Sequence, residues 1–546
     1  MNKMADFGVQ LIYWGIFVAY LIFLAVAGFY AKRKTKTLED FMVAGRNIGP
    51  LLLGLSFGVT YFSAVIIVGG GQFAWLWGLS TVWIAAINVL IGVFAIFVLF
   101  GARTRALGKH FDSMTVPQFL SKRYKEPRIQ TFTSIVIMFF ETIYLVSIYM
   151  GLSLLISVVM PNNPFAYNIA VMICGIITII YLNIGGAHGA ITTDVVESLI
   201  MIIGVLCIFI FGLIEIGGFN EFLSVLGNIE QQEEGFSSGD LTTFPGAGGF
   251  GLIGFILVTS FGVWGMPQMI SRFYTAKRQR SIRWGLVISC FWAFFVAILA
   301  YANGAISRAY FFGKEGYSGI NELGGATAIP ELMVATLPTV LAGLFMAAVT
   351  AASLTTGEKV LMIAASGFSI DVYQAKTNCS DDKTLIVTKI TTTVLVIFAV
   401  FMAMLQPAAV LALGMFAWAA MASTILIPYV FGLFWKKGTS KAAIGSGAAA
   451  LISAIIWFIL FRPDAPNFWA AFGFTYPDFL KEVSALVLIN IDIMTITVGS
   501  IHEFIVSQLI ALISFPVISL LTQDSKPSSE FLEEIFQIMR KAKYEA

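Results

Sequence analysis

The sequence predicts an all-α membrane protein that crosses the bilayer many times. Of its 546 residues, 58% are hydrophobic and only 12% are charged, whereas soluble globular domains carry about 25% charged residues. The mean hydropathy is +0.87. Basic and acidic residues nearly balance, at 33 against 31, so nucleic acid is not an expected partner. This composition excludes a soluble enzyme and a disordered chain and favours a polytopic membrane protein.

Thirteen apolar runs are long enough to be membrane-spanning helices, which need about 20 residues each. The first run lacks a small-residue cleavage site and is followed by the basic segment 32–36, so it is expected to be an uncleaved anchor. The whole chain, 1–546, is expected to be a single transmembrane transporter domain. The predicted spans are 8–31, 50–76, 79–101, 130–159, 165–184, 190–216, 248–271, 284–308, 331–368, 385–405, 407–434, 442–461 and 501–522.

Lysine and arginine are unevenly distributed between alternate loops. Of the 33 basic residues, 27 lie in one set of alternate loops and the C-terminal tail, and five lie in the other set. Because basic loops remain in the cytoplasm, the N-terminus is expected outside and the C-terminus in the cytoplasm of a cell membrane. The loop 218–247, with five acidic and no basic residues, is expected outside. The apolar segment 483–500 contains Asp492 and is expected to be a re-entrant or interfacial helix.

Two predicted spans contain interruptions rich in glycine or proline. The second span has Gly54, Gly58 and the run 69–71, and the seventh has the segment 262–267. Transporters bind solutes where helices are interrupted near the middle of the bilayer, because unwound carbonyls serve as ligands. Glycines also allow helices to pack closely, which is the simpler interpretation of each one alone. The two interruptions lie five spans apart, a pattern typical of two inverted five-helix repeats.

Ionisable residues within the predicted spans are candidates for function because a charge inside a membrane is costly. They are Glu141 in the fourth span, Asp194 and Glu197 near the inner end of the sixth, and Glu358 and Lys359 in the middle of the ninth.

Simpler interpretations exist for two of these residues. Glu141 could be a packing residue with satisfied polar groups. Asp194 follows Thr192 and Thr193 and could cap the start of a helix, where a carboxylate is favourable.

The ninth span also carries Ala352, Thr355 and Thr356 at the spacing i, i+3 and i+4. This spacing places one carbonyl and two hydroxyls on one face of a helix. A hard cation such as sodium binds several oxygen ligands, and carbonyls of the broken second span could complete the set. The alternative is that the threonine hydroxyls bond to carbonyls of their own helix.

Four segments, in the same order along the chain, resemble the sodium:solute symporter family, which includes bacterial carriers of proline, pantothenate, sialic acid and sugars. The resembling segments are EDFMVAGR at 39–46, GG at 185–186 with TDVV at 193–196, GMPQ at 265–268 with RF at 272–273, and GLFWKKGTSKAAIG at 432–445.

The resemblance implies a LeuT-like fold with two inverted repeats of five helices, one helix before them and two after. The implied parts are an extra N-terminal helix at 8–31, a first repeat at 48–216, a second repeat at 248–434, two C-terminal helices at 442–522 and a cytoplasmic tail at 523–546.

The resemblance also implies a sodium site between the broken first core helix and the eighth core helix. Carried over by position, its ligands are the carbonyls of Val59, Phe62 and Ala352 and the hydroxyls of Thr355 and Thr356. The last three residues form the helix face that spacing alone indicates.

The chain departs from the family at a second sodium site. Some members hold a second ion with hydroxyls two and three residues beyond the position of Thr356 and with the aspartate that matches Asp194. Here those two positions are Glu358 and Lys359, and Glu197 replaces the family's usual glutamine. The lysine is therefore expected to take the place of the second sodium, paired with Asp194 or Glu358. These four residues form the predicted coupling region.

The predicted solute pocket comprises Ser63, Val263, Trp264, Phe416 and Trp418, with Trp75 of the second span as a further aromatic residue. Aromatic side chains with few polar groups would suit a compact, partly apolar solute. The alternative is that these aromatic residues, and Trp75 in the second span, face lipid or pack the helices.

The resemblance leaves the solute open. The positions at which sugar carriers have polar residues are Ala85, Ser260 and Met415 here, and Val263 replaces their gating tyrosine, which argues against a hexose. The segment 416–418 resembles the proline-carrying branch, although Thr259 and Val263 stand where that branch has a tryptophan and a tyrosine.

The expected function is secondary active symport, in which sodium entry drives uptake of an amino acid such as proline or of a small organic acid. Sodium is the expected coupling ion and the only expected metal. No cofactor, enzymatic activity or obligate protein partner is expected. Proton coupling through Asp194, Glu197 or Glu358, a membrane solute sensor and a passive channel are the alternatives.

Overall fold

The structure is a computed structural model that describes residues 7–32, 38–62, 65–160, 163–314, 316–491 and 494–545. Within these residues, ten helical stretches are long and apolar enough to cross a membrane. Three shorter apolar helices, at Gly8–Tyr20, Pro50–Tyr61 and Ala166–Ile179, coincide with predicted spans. The protein is therefore an all-α, multi-pass membrane protein, while the count of thirteen spans stays a prediction.

The described residues up to 275 contain helices α1 to α12. Their bounds are α1 Phe7–Lys32, α2 Leu38–Val43, α3 Pro50–Tyr61, α4 Gly70–Trp77, α5 Val82–Ile87, α6 Ala102–His110, α7 Val116–Tyr124, α8 Pro127–Ser157, α9 Ala166–Ile216, α10 Phe219–Gln232, α11 Gly249–Phe261 and α12 Pro267–Thr275.

The rest of the described chain contains helices α13 to α24 and one pair of strands. Their bounds are α13 Gln279–Phe311, α14 Tyr317–Glu322, α15 Ala328–Thr336, α16 Thr339–Phe368, α17 Ala375–Thr377, α18 Asp381–Leu405, α19 Val410–Phe434, α20 Ser440–Phe461, α21 Ala465–Ala471, α22 Asp478–Ala485, β1 Val487–Ile491, β2 Met494–Thr497, α23 Glu503–Leu521 and α24 Ser529–Glu545.

Helices α8, α16 and α19 form the centre of the molecule. The apolar part of α19 is completely buried and those of α8 and α16 are largely buried, whereas α18, α20 and α23 leave most of their apolar residues exposed. An exposed apolar surface of this kind faces lipid in a membrane protein. The residues predicted to bind sodium, on α3 and α16, therefore lie in the protein interior.

Both helix interruptions predicted in the second and seventh spans are present. Helix α3 ends at Tyr61, and Phe62 has a non-helical backbone (φ −112°, ψ 83°); the chain continues as a π-helical segment at Val65–Gly69 and then as α4. Between α11 and α12, a 3₁₀ turn leads to an extended Met266 (φ −79°, ψ 121°). The first break therefore falls at Phe62, between the predicted glycines rather than on them.

Gly54 and Gly58 lie inside α3 and serve helix packing. A Cβ atom on Gly58 would lie 2.5 Å from Cε3 of Trp292 in α13, and one on Gly54 would lie 2.8 Å from the carbonyl oxygen of Gly285. Such distances are below van der Waals contact, so only glycine allows α3 to approach α13 this closely.

The alternative interpretation, in which Asp194 caps the start of a helix, is wrong. The backbone is helical on both sides of this residue, within the 51-residue helical element α9. The predicted spans 165–184 and 190–216 are thus two parts of one helical element in the structure. Asp194 lies inside a helix, where a carboxylate cannot act as an N-cap.

The expected helix over 483–500 is also wrong. After the short helix α22, β1 and β2 form an antiparallel hairpin in which Ile489 pairs with Ile496 and Ile491 with Met494. The segment is rich in β-branched residues, which favour strands over helices. Asp492 lies outside the described residues.

The C-terminal tail contains the helix α24. Its Leu532, Ile535 and Met539 are buried against the protein. Lys436, which follows α19, lies 2.5 Å from Glu533, and His110 at the end of α6 lies 3.5 Å from Glu534.

Candidate cation and solute sites

Four of the five predicted sodium ligands meet where α3 ends against α16. The hydroxyl of Thr356 lies 2.8 Å from the carbonyl oxygen of Ala352 and 3.3 Å from that of Val59. The hydroxyl of Thr355 lies 3.1 Å from the same Ala352 carbonyl. Phe62, the fifth predicted ligand, is buried at the helix break itself.

The end of α3 explains why carbonyl oxygens are available here. The last carbonyls of an α-helix lose their regular hydrogen-bond partners and need others. Val59 lies in the last turn of α3, and its carbonyl accepts from Thr356 of α16. All these oxygens are neutral and hard, which is the chemistry that sodium requires, so the residues fit the predicted ion.

A buried ion pair lies next to these oxygens. The ammonium of Lys359 lies 2.5 Å from Oδ1 and 2.7 Å from Oδ2 of Asp194. Ser56 of α3 also donates a hydrogen bond to Asp194. Asp194 is therefore the carboxylate partner that the sequence analysis requires for Lys359.

Thr60 joins this ion pair to the second broken helix. Its hydroxyl accepts hydrogen bonds from Lys359 at 3.3 Å and from the guanidinium of Arg272 at 3.0 Å, and donates to the carbonyl of Ser56 at 2.6 Å. Arg272 lies on α12 and is buried. The sequence analysis missed these roles of Ser56, Thr60 and Arg272. A buried arginine soon after the second helix break was the one available signal.

The remaining acidic residues of the predicted coupling region differ in their contacts. Oε2 of Glu197 accepts a hydrogen bond from Thr355 at 2.8 Å. Neither oxygen of Glu358 has a hydrogen-bond partner among the described residues, although its side chain is buried. The same holds for both oxygens of Glu141. The interpretation of Glu141 as a hydrogen-bonded packing residue therefore finds no support in this part of the structure.

Trp418 is the predicted pocket residue that lies beside the first helix break. Its ring stacks on Tyr61, the last residue of α3, with 5.7 Å between centroids, and meets Tyr144 of α8 edge-on at 5.6 Å. Its indole nitrogen is buried and has no hydrogen-bond partner among the described residues.

The other predicted pocket residues are dispersed. Phe416 stacks on Phe458 of α20 at 3.9 Å, because residues two apart on a helix point to different faces. Trp264 donates to the carbonyl of Ile91 at 3.0 Å, and Val263 is buried in the 3₁₀ turn after α11. Ser63 lies outside the described residues.

Asn88 is a buried polar residue near the same break that the sequence analysis did not select. Its Oδ1 atom accepts from Thr259 at 2.8 Å and from Ser260 at 2.7 Å, while its Nδ2 atom has no partner among the described residues. Tyr61 donates to the carbonyl of Thr259. The π-helical segment that begins at Asn88 is a feature often found at functional sites.

A hydrogen-bond network lies at the end of α4. The guanidinium of Arg308 donates to the carbonyl of Trp75 at the end of α4, at 2.7 Å, and to Glu233 at 2.5 Å. Tyr317 also donates to Glu233, and the indole of Trp75 lies 3.2 Å from Oδ1 of Asn321. Trp75 is thus part of this hydrogen-bond network, and its place in the solute pocket stays a prediction.

Hydrogen bonds also join helices on the side of α12. The carboxylate of Asp371 accepts from Thr115 and from Gln130, each at 2.9 Å. Arg46 lies 2.8 Å from Glu39.

Two broken helices with carbonyls, hydroxyls and an ion pair at their interruptions define a secondary transporter with LeuT-like repeats. Residues 41–449 match the sodium:solute symporter family. The chain therefore belongs to the sodium:solute symporter family, whose activity is sodium-coupled solute symport.

Characterised relatives cover most of the chain. A sodium/proline symporter of Salmonella typhimurium is 25% identical over 449 residues, which are 81% of this chain and 86% of the relative. An osmoregulated proline transporter of Bacillus subtilis is 24% identical, over 80% and 87% of the two chains. A sodium/pantothenate symporter of Haemophilus influenzae is 25% identical, over 81% and 88%.

A solved structure shares the fold. It shows a Na⁺-coupled sialic acid symporter in a substrate-bound, outward-open state. The TM-score is 0.69 at 17% sequence identity, and the match covers 93% of this chain and 98% of the other.

Proposed function

We propose that this chain imports a small, partly apolar organic anion or zwitterion, an amino acid such as proline or a small organic acid, together with sodium. The protein acts in a cell membrane, with its N-terminus outside and its C-terminus in the cytoplasm. The observation that carries the proposal is the meeting of the Val59 and Ala352 carbonyls with the Thr355 and Thr356 hydroxyls at the end of α3.

Sodium bound to these oxygens, with the Phe62 carbonyl as a fifth ligand, would join α3 to α16. A cation shared by two helices stabilises the arrangement in which they lie together, and it can shift the population of conformations only through this differential binding. Binding of sodium therefore favours one state of the broken helix, and the solute site beside that helix forms in the same state.

The solute site is proposed to lie at Tyr61, Trp418 and Asn88. The indole N–H of Trp418 and the amide N–H groups of Asn88 are buried donors without partners among the described residues. Buried donors without partners are costly, so a ligand that accepts their hydrogen bonds is favoured. A carboxylate is such an acceptor, and the aromatic rings of Tyr61 and Trp418 suit its apolar part.

Lys359 is proposed to act as a resident cation, so that one sodium ion accompanies each solute. Its ammonium is held by Asp194 and lies in the buried cluster that also contains Glu197, Glu358 and Arg272. At formal charges, three carboxylates face two cationic side chains. One bound sodium ion would neutralise the difference.

Proton coupling is the second candidate. The observation in its favour is the buried Glu358, whose carboxyl oxygens lack hydrogen-bond partners in the described part of the chain. A carboxyl group in such a site is a suitable proton carrier. Uptake in sodium-free buffer under an imposed pH gradient separates the two candidates.

The test of the proposed function uses purified protein reconstituted in liposomes. Radiolabelled amino acids and small organic acids are screened for uptake with an inward sodium gradient and with choline in its place. Accumulation above the external concentration only with sodium supports the proposal. Equal uptake with choline contradicts sodium coupling, and flux without accumulation would indicate a passive channel.

A further inference from the structure

The sodium site proposed above contains no charged ligand, yet a carboxylate contacts it. The carbonyls of Val59 and Ala352 and the hydroxyls of Thr355 and Thr356 are all neutral. Glu197 of α9 lies directly behind Thr355, with its Oε2 atom 2.8 Å from the threonine hydroxyl. Glu197 and Thr355 are both completely buried.

We infer that Glu197 positions the Thr355 hydroxyl for sodium and supplies the negative charge of the cation site. The inference rests on the proposed function and goes beyond it. Glu197 is not a ligand of the ion, yet it is inferred to set the sodium affinity of the site.

A hydroxyl group has a single proton and therefore donates only one hydrogen bond. Thr355 can donate to only one of its two neighbouring acceptors, Glu197 at 2.8 Å or the Ala352 carbonyl at 3.1 Å. The carboxylate is closer, and hydrogen bonds to a charged acceptor are about twice as strong as those between neutral groups. The Thr355 hydroxyl therefore donates its hydrogen bond to Glu197.

This assignment leaves the oxygen lone pairs of Thr355 for a cation. A hydroxyl that donates to its own helix carbonyl also uses that carbonyl, so two oxygens of the site would be occupied with each other. With its proton on Glu197, Thr355 is an acceptor like the Ala352 carbonyl. That carbonyl accepts from Thr356 at 2.8 Å and has a second lone pair, so the two acceptors, 3.1 Å apart, can bind the same cation. Partners behind the first ligands commonly orient metal sites in this way.

Glu197 of α9 and Glu358 of α16 differ in their contact with Thr355. Glu358 is buried in the same cluster and interacts electrostatically with Glu197, Asp194 and Lys359, but no hydrogen bond joins it to Thr355 within the described residues. The variants Glu197→Gln and Glu358→Gln therefore remove the same charge from one cluster, and only the first alters the partner of the sodium-site hydroxyl.

The test measures sodium binding without any solute. The melting temperature of the purified full-length protein in detergent is recorded against NaCl concentration, with choline chloride keeping the ionic strength constant. A ligand that binds only the folded protein stabilises it by RT ln(1 + [L]/Kd), so the rise of the melting temperature with NaCl concentration gives an apparent Kd for sodium. The proteins compared are the parent, Glu197→Gln, Glu197→Asp, Glu358→Gln, Thr355→Val and the double variant Glu197→Gln/Thr355→Val.

The expected result is that Glu197→Gln raises the apparent Kd for sodium about tenfold or more, as is typical for the loss of a partner behind a metal ligand. Glu358→Gln should change the apparent Kd for sodium by less than about a third of the factor expected for Glu197→Gln. Because Glu197 acts through Thr355, the double variant should be no weaker than Thr355→Val alone. Glu197→Asp keeps the charge but shortens the side chain, and should give an intermediate value, which also serves if the glutamine variant does not fold.

Three outcomes would overturn the inference. An unchanged sodium response in both Glu197 variants removes its role. An equal shift in Glu358→Gln shows that only the charge of the cluster matters. If the factor by which the double variant weakens sodium binding equals the product of the factors for Glu197→Gln and Thr355→Val, Glu197 acts independently of Thr355. A parent protein that sodium does not stabilise would instead contradict the sodium site of the proposed function, and this inference with it.

Discussion

Lys359 of α16 and Asp194 of α9 form an ion pair whose two N–O distances are 2.5 and 2.7 Å. The side chains are 3% and 0% exposed, so solvent does not screen this pair as it would a surface pair. Removing one partner would leave an uncompensated buried charge, which typically costs about 3–5 kcal/mol.

We predict that one sodium ion enters per solute, because the Lys359 ammonium already neutralises Asp194. The charge-to-solute ratio is measured from reversal potentials in proteoliposomes, for the parent and for Lys359→Ser. The serine variant should lose transport or show a steeper sodium dependence that reports a second ion. A parent ratio of two sodium ions per solute would falsify the replacement of an ion by the lysine.

We expect Thr355→Ala and Thr356→Ala each to raise the sodium concentration for half-maximal uptake. Each removes a hydroxyl from a buried polar site, at a cost of about 1–3 kcal/mol, or roughly five- to 150-fold in affinity. Ser353→Ala is the matched control, since this buried hydroxyl on the same helix donates to the carbonyl of Val349 at 2.8 Å. Unaltered sodium dependence in both threonine variants, or an equal change in the control, would remove these residues from the site.

Trp418→Phe should raise the solute KM without changing the sodium dependence, because it removes the unpartnered indole N–H and keeps an aromatic ring next to Tyr61. Phe416→Leu, on the other face of α19 against Phe458, should leave the KM within about twofold of the parent value. Initial uptake rates at saturating sodium measure both. A larger KM change in Phe416→Leu than in Trp418→Phe would contradict the proposed solute site, because it would place the solute on the face of α19 that carries Phe416.

Gly58→Ala should destabilise the protein, because the added Cβ would lie 2.5 Å from the Trp292 ring, and overpacking of this kind costs about 1–3 kcal/mol. Gly227→Ala in α10 is the control, with no atom within 4 Å of its added Cβ. Thermal unfolding in detergent should show a lower melting temperature for the first variant and not for the second. Equal melting temperatures would show that α3 can move away from α13.

The predicted orientation is tested by labelling single cysteines in a background from which Cys174, Cys207, Cys290 and Cys379 have been removed. A cysteine at position 234 should react with an impermeant maleimide on intact cells, and one at position 437 only after permeabilisation. The reverse pattern would invert the protein in the membrane.

The fold was largely predictable because apolar runs and helix breaks are local properties of the sequence. The breaks near Gly58 and at 262–267 were located to within a few residues. One alternative interpretation, at Asp194, and one expectation, over 483–500, failed, because a carboxylate after two threonines and an apolar segment each suit more than one backbone.

The site was predictable only where its residues share a helix face. Ala352, Thr355 and Thr356 were found by their spacing, whereas the contacts of Thr60 with Arg272 and of Thr355 with Glu197 join helices far apart in the sequence. The separation of Phe416 from Trp418 could have been anticipated from their spacing on the helix. The partners of Glu197 could not, since only tertiary packing brings α9 to α16.

The docking of α24 has a practical consequence for handling the protein. Ile535 and Met539 are buried, and Glu533 reaches Lys436, so the last helix is an integral part of the packed protein. Deleting it to shorten an expression vector insert would expose an apolar patch to solvent and promote aggregation during purification. An affinity tag placed behind a flexible linker after residue 546 would preserve these contacts.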